Sequence, residues 1–171
     1  MNLLDIQKVI STKVVESVNG HQDDKTQWLD KTNKVTEDYI NHLTATYGES
    51  WYEGFLPFEL INQILLPKHT LHNSEIDDGV EIFPLDTPLP EAIMKYKDLE
   101  YQDTLCQNNV RSLKEKIMTH GFTVPIILIV INNTLKHVDG LHRLIALGLL
   151  LQEGYEYVPI PVYLCDNTYE I

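Results

Sequence analysis

Five consecutive residues carry the densest chemistry in the chain. They are Asp139-Gly140-Leu141-His142-Arg143, directly before the apolar run Leu144–Leu151. A short strand, Leu135–Val138, is expected to end at Asp139-Gly140 and pass straight into a helix. The first amides of a helix have no partner inside it, and they sit at the positive end of its dipole. A helix start of this kind takes anions, phosphate above all. Arg143 adds a forked cation that matches phosphate oxygens, and His142 adds a group that titrates near neutral pH. The plainer reading makes Asp139 an N-cap, Gly140 a tight turn, and His142 and Arg143 a solvated first turn. A His-Arg pair at the positive end of a dipole is locally unfavourable. Such local conflicts are more common at functional sites than at neutral ones.

The elements that must position these residues can be read on either side. Pro125–Ile131 is a continuous run rich in Ile and Val, which suits a strand covered on both faces. Asn132-Asn133 tolerates positive φ and predicts the turn into Leu135–Val138. A helix over 141–153 stops at Gly154, and Tyr157–Leu164 is a last strand with two prolines. Upstream, Asn108 or Asn109 caps a helix with Val110, Leu113, Ile117 and Met118 inward and Gly121 at its C′ position. Arg111, near the start of that helix, is placed to turn toward the pocket. Val80–Leu85 reads as an edge strand, with Pro84 at its end. Thr87–Glu100, which contains Glu91, is a loop or short helix. Residues 79–171 thus outline a β–α–β–β–α–β domain.

The first 78 residues read differently. Apolar spacing predicts amphipathic helices over 2–19 and 26–47, stopped by Gly20 and Gly48. Ser50 caps a short turn through Trp51-Tyr52-Glu53, and Phe58–Leu66 is a third helix ended by Pro67. Trp28, Trp51, Tyr52, Phe55 and Phe58 form an aromatic core, or alternatively a docking surface. The polar stretch Asn73–Gly79 is the expected boundary between a helical cap, residues 1–78, and the α/β domain, residues 79–171. The fold class expected is α+β, a small mixed-sheet domain preceded by an all-α segment. A protein partner or homodimer is expected through the N-terminal helices.

A chain of 171 residues, 43% apolar and 22% charged, can build a real core. Its formal charge is −12; residues 1–78 carry 6 basic and 13 acidic residues, and residues 79–171 carry 7 and 12. Neither half has a basic stripe, which weighs against affinity built on nucleic-acid phosphates. A small-molecule ligand fits better. Cys106 and Cys165 form no CxxC pair and no evident metal set, and a reduced cytoplasmic compartment is expected. His69 and His72, with Glu75, offer three ligand types. Paired helical ligands favour i, i+4 spacing, however, and Pro67 and Asn73 predict a loop, so that stretch reads as a connector. The N-terminus lacks a charged segment followed by an apolar one, and no apolar run approaches a membrane span, so neither signal peptide nor membrane is expected.

The run from Val110 to Leu164 resembles the ParB/sulfiredoxin superfamily. The matching pieces are Leu113-Lys114-Glu115-Lys116-Ile117 with Gly121, Val124-Pro125-Ile126, Asp139-Gly140-Leu141-His142-Arg143, and Val158-Pro159-Ile160-Pro161-Val162. Val80–Leu85 resembles the opening strand of such domains; residues 1–78 lie outside the resemblance. Sulfiredoxins place a cysteine where Leu141 stands. Chromosome-partition members, which bind CTP, carry G-E-R-R and continue into a helix-turn-helix. The free serine kinase branch, with D-G-H-H-R, is most similar at the signature and differs at Leu141.

That resemblance implies a loop holding nucleotide phosphates and a glutamate acting as base toward an acceptor hydroxyl, a position that Glu91 matches. ATP, ADP or CTP with Mg²⁺ are the cofactors it implies. Phosphoryl transfer depends on positioning and charge neutralisation. The backbone of Gly140, Leu141, His142 and Arg143 would cradle a phosphate, with the Arg143 side chain as clamp and Arg111 in support. His142 would bond a transferring oxygen, Asp139 would hold Mg²⁺ or orient His142, and Glu91 would take the acceptor proton. Three classes stay open: a nucleotide-dependent phosphotransferase or NTPase acting on a small molecule, a nuclease or nucleic-acid-binding protein, and a catalytically silent interaction module.

Overall fold

The Ile/Val run forms the central strand of the molecule. A computed structural model describes residues 2–20, 27–72, 77–98 and 105–169. Strand β7, Ile126–Ile131, is buried along nearly its whole length. Successive side chains of a strand point to opposite faces. Ile126, Leu128 and Val130 accordingly enter one apolar cluster, and Ile127 and Ile129 enter another.

The neighbours of β7 complete a mixed sheet. β8, Thr134–Asp139, returns antiparallel through a turn in which Asn132 and Asn133 hold φ of 52° and 59°. On the other side β9, Ile160–Cys165, runs parallel to β7. β2, Trp51–Leu56, is antiparallel to β9, and β1, Leu4–Val9, is antiparallel to β2. Beyond β8 come β3, Leu65–Leu66, and β6, Thr87–Pro88. The order is β1-β2-β9-β7-β8-β3-β6. β4, His69–His72, and β5, Asp77–Phe83, pair as a separate antiparallel ribbon.

Helices cover both faces. α1, Ser11–Gly20, and α2, Gln27–Tyr47, lay Val14, Val18, Ile40 and Leu43 on the face of Ile127 and Ile129. α4, Leu89–Lys97, α5, Leu105–His120, and α6, Leu141–Gln152, cover the other face. α4 crosses α6 at Gly148, where an added Cβ would stand 1.9 Å from Ile93 Cδ1. A single turn of helix, α3, Phe58–Ile61, links β2 to β3. With six helices and a seven-stranded mixed sheet among the described residues, the fold is α+β, as expected.

The departures fall mainly in the first 78 residues, which are not all helix. β1 occupies the first part of the helix expected over 2–19. Its spacing of Leu3, Leu4, Ile6, Val9 and Ile10 serves either period, and pairing with β2 decides the matter. That approach is close: a Cβ on Gly54 would lie 2.7 Å from the Leu4 carbonyl oxygen. The helix starts only at Ser11, whose N–H and hydroxyl each donate to the Glu49 carboxylate at 2.8 Å.

Residues 51–53 are strand rather than turn, and the helix expected over 58–66 is α3 followed by β3. The pairs β2–β9 and β3–β8 cross the expected boundary at 78/79. Residues 73–76 of the expected connector lie outside the described residues, and 77–79 open β5. Trp51 and Tyr52 are core, but Phe55 and Phe58 are exposed; the side chain of Trp28 lies outside the described residues. Met118, expected inward, is exposed because the stripe Val110, Leu113, Ile117 has turned past it. No helix among the described residues is long and apolar enough to cross a membrane.

Candidate functional site

The Asp-Gly turn forms where expected. Gly140 takes φ 111° and ψ 24° and stands as N-cap of α6. A side chain there would meet Ile126 and the Arg143 guanidinium, each at 3.2 Å, and left-handed backbone favours glycine in any case. As a glycine, Gly140 offers the helix no side-chain cap of its own. The first rung of its ladder runs from the Leu144 N–H to the Gly140 carbonyl at 2.9 Å. The N–H groups of Leu141, His142 and Arg143 therefore lie outside the helix's own bonding.

Arg143 does not reach outward as a clamp. Its side chain is only 7% exposed. Nη1 donates to the carbonyls of Val124 at 2.7 Å and Pro125 at 3.2 Å, and Nη2 to Asp139 Oδ2 at 3.3 Å. The guanidinium carbon lies 5.9 Å from the centre of the Phe122 ring. The cation thus ties the segment before β7 to the end of β8 and the start of α6. This explains the apparent conflict of an arginine at a positive dipole end: the charge folds back onto carbonyls and a carboxylate.

His137, two residues before Asp139 on β8, has Nε2 enclosed with no hydrogen-bond partner among the described residues. Burial pushes its imidazole down to about 4, with Asp139 opposing the shift and Arg143 adding to it.

His142 turns toward a group of buried polar side chains. Its ring meets that of His69 edge-on at 5.2 Å. His69 in turn lies 5.4 Å from the Phe83 ring and 6.3 Å from the Tyr96 ring. Cys106 joins them: its Sγ and a nitrogen of each histidine all lie within 4.8 Å of one another. Among the described residues this is the one set of three His, Cys or carboxylate groups close enough to share an ion. His69 and Cys106 are buried, as are Tyr96 and Gln107.

The other expected residues have surroundings of their own. Leu141 packs its side chain against the core. Glu91 is exposed in the first turn of α4. Arg111 is bonded to the side chain of Asn108, one turn back on α5. Asn108 is itself interior to α5, which starts at Leu105 rather than at Asn108 or Asn109.

α5 includes Cys106, which the expected start at Asn108 or Asn109 places outside the helix. Cys106, Val110, Leu113 and Ile117 follow spacings of four, three and four, a continuous inward stripe. His69 belongs to a strand rather than to a connector loop. The side chain of His72, and Glu75 with it, lie outside the described residues. Comparison with family models, with curated proteins and with solved structures finds no match to this chain.

Proposed function

We propose that the protein binds a phosphate-bearing small molecule, a nucleotide such as ATP, ADP or CTP, at the start of α6. In this reading it acts as a phosphotransferase or NTPase of the ParB/sulfiredoxin kind. The observation that carries the reading is the α6 N-terminus. A left-handed Gly140 offers no side-chain cap of its own, and the first amides of such a helix favour an anion. Arg143, bonded to Val124, Pro125 and Asp139, holds those amides in place, so that little ordering is left for the ligand to impose.

The Asp139 carboxylate is engaged with Arg143 and fits orientation of the turn better than retention of a hard cation. Mg²⁺ would come with the nucleotide and be held largely by its phosphates and water. For transfer, Glu91 is the carboxylate assigned to take the acceptor proton.

Amide-resolved NMR of the ¹⁵N-labelled protein tests the binding step. Titration with ADP, ATP, CTP and inorganic phosphate, with and without Mg²⁺, should move the amides of Gly140–Arg143 before any others. If no phosphate compound moves them, the reading is lost.

A further inference from the structure

We infer that His69, Cys106 and His142 are the ligands of a single Zn²⁺ ion. Three elements far apart in the chain, β4, α5 and α6, deliver one donor each to the same point. Zinc bonds of about 2.0–2.3 Å to nitrogen and sulfur place neighbouring donors roughly 3.3–3.6 Å apart in a tetrahedron. The three donors already lie within 4.8 Å of one another, so small side-chain rotations close the set.

The donor chemistry selects the ion. Two imidazoles and a thiolate suit a borderline-soft cation and not Mg²⁺ or Ca²⁺, which take oxygen. Cys106 lies on α5, and a bound cation favours its thiolate over the thiol. At 2% exposure the thiol is poorly placed to attack a substrate, which argues against a cysteine–histidine nucleophile. Cys165, the other thiol, belongs to the cluster on the opposite face of the sheet, so no disulfide competes.

Three protein ligands leave one tetrahedral position for water or a bound ligand. His142 is the least buried of the three and marks the side from which that position is reached. The inference does not depend on phosphate binding, since it uses the His142 ring where that reading uses backbone amides. Binding releases the thiol proton to solvent and changes no oxidation state.

The test uses the whole chain, stripped with a chelator and titrated with Co²⁺ in the presence of a mild reductant. The expected result is one Co²⁺ per chain with a thiolate-to-cobalt absorption band, displaced by Zn²⁺. Zinc at a hundredfold excess over its Kd should raise Tm by about 5–10 °C. Cys106→Ser should abolish the band, Cys165→Ser should keep it, and His142→Gln should weaken binding at least about tenfold. A wild-type chain without the band overturns the site, as does a band of full strength in Cys106→Ser. If Cys106→Ser does not fold, His142→Gln decides: undiminished affinity overturns the site, and a tenfold loss supports it.

Discussion

The two faces of the sheet are built from the same strands and differ in what they bury. The face under α1 and α2 is the drier: Val9, Val14, Val18, Ile40, Leu43, Trp51, Ile127 and Ile129 fill it, with the hydroxyls of Ser11 and Thr36 buried beside them. Its polar pairs include Trp51 Nε1, which donates to Thr44 Oγ1 at 3.0 Å. The face under α4, α5 and α6 is larger, and it also contains Arg143, His69, Gln107 and Cys106 in buried positions. Each face holds one cysteine. On the drier face burial, with Asp166 beside it, pushes the Cys165 thiol up to about 12, which leaves it inert. On the other face Cys106 stands beside two imidazoles. Burying polar groups costs free energy unless they are paired. The two faces differ in which polar groups they bury: hydroxyls under α1 and α2, and a guanidinium, an imidazole, an amide and a thiol on the other side.

The sharpest way to break this comparison is Arg143→Ala. Removing a buried cation strands Asp139 and two carbonyls, and should cost about 3–5 kcal/mol in urea unfolding. A cost under about 1 kcal/mol, as for a solvated charge, would contradict the role of the guanidinium as an internal strut.

Acid should act next, again through the polar face. The folded-state pKa of His137 is lowered to about 4 from 6.5, so the unfolded chain takes up the proton first. Its contribution is complete above pH 6.5 and is lost as pH falls from 6.5 through 4, by about 2–3 kcal/mol. Stability measured across that window should flatten in His137→Leu relative to the parent. An unchanged slope would remove His137 as the cause.

Smaller effects are expected where partners are local or exposed. Thr44→Val keeps the volume and removes the acceptor of the Trp51 indole N–H, which should cost about 1–2 kcal/mol by chemical denaturation. A loss of several kcal/mol would show that the drier face depends on its polar bond more than its packing. Lys114→Ala breaks the 2.6 Å pair with Glu153 that links α5 to the end of α6. With Glu153 half exposed, the change should shift Tm only slightly, at most about 1 kcal/mol.

Local chemistry made part of this molecule legible in advance. The doubly apolar run at β7, the Asn132-Asn133 turn, the helix stops at Gly48, Gly121 and Gly154 with positive φ, and the Asp-Gly entry to α6 depend on neighbouring residues alone. β1 and β2 were not legible, because Leu3–Ile10 fits a helix or a strand equally and its partner is some 50 residues away. Of the candidate site, residues 139–143 were visible as a motif. The direction of Arg143 was not, since it is set by carbonyls at 124 and 125 that reach it only through sheet pairing.

The sequence by itself thus determined the Asn132-Asn133 turn, the glycine stops of the helices, the strand covered on both faces and the glycine start of α6, all properties of φ preference and apolar period. Only the tertiary structure decided that β1 and β2 share a sheet with the C-terminal strands, that Arg143 faces inward, and that His69, Cys106 and His142 meet. Those outcomes depend on contacts between residues distant in the chain, and no local spacing encodes them.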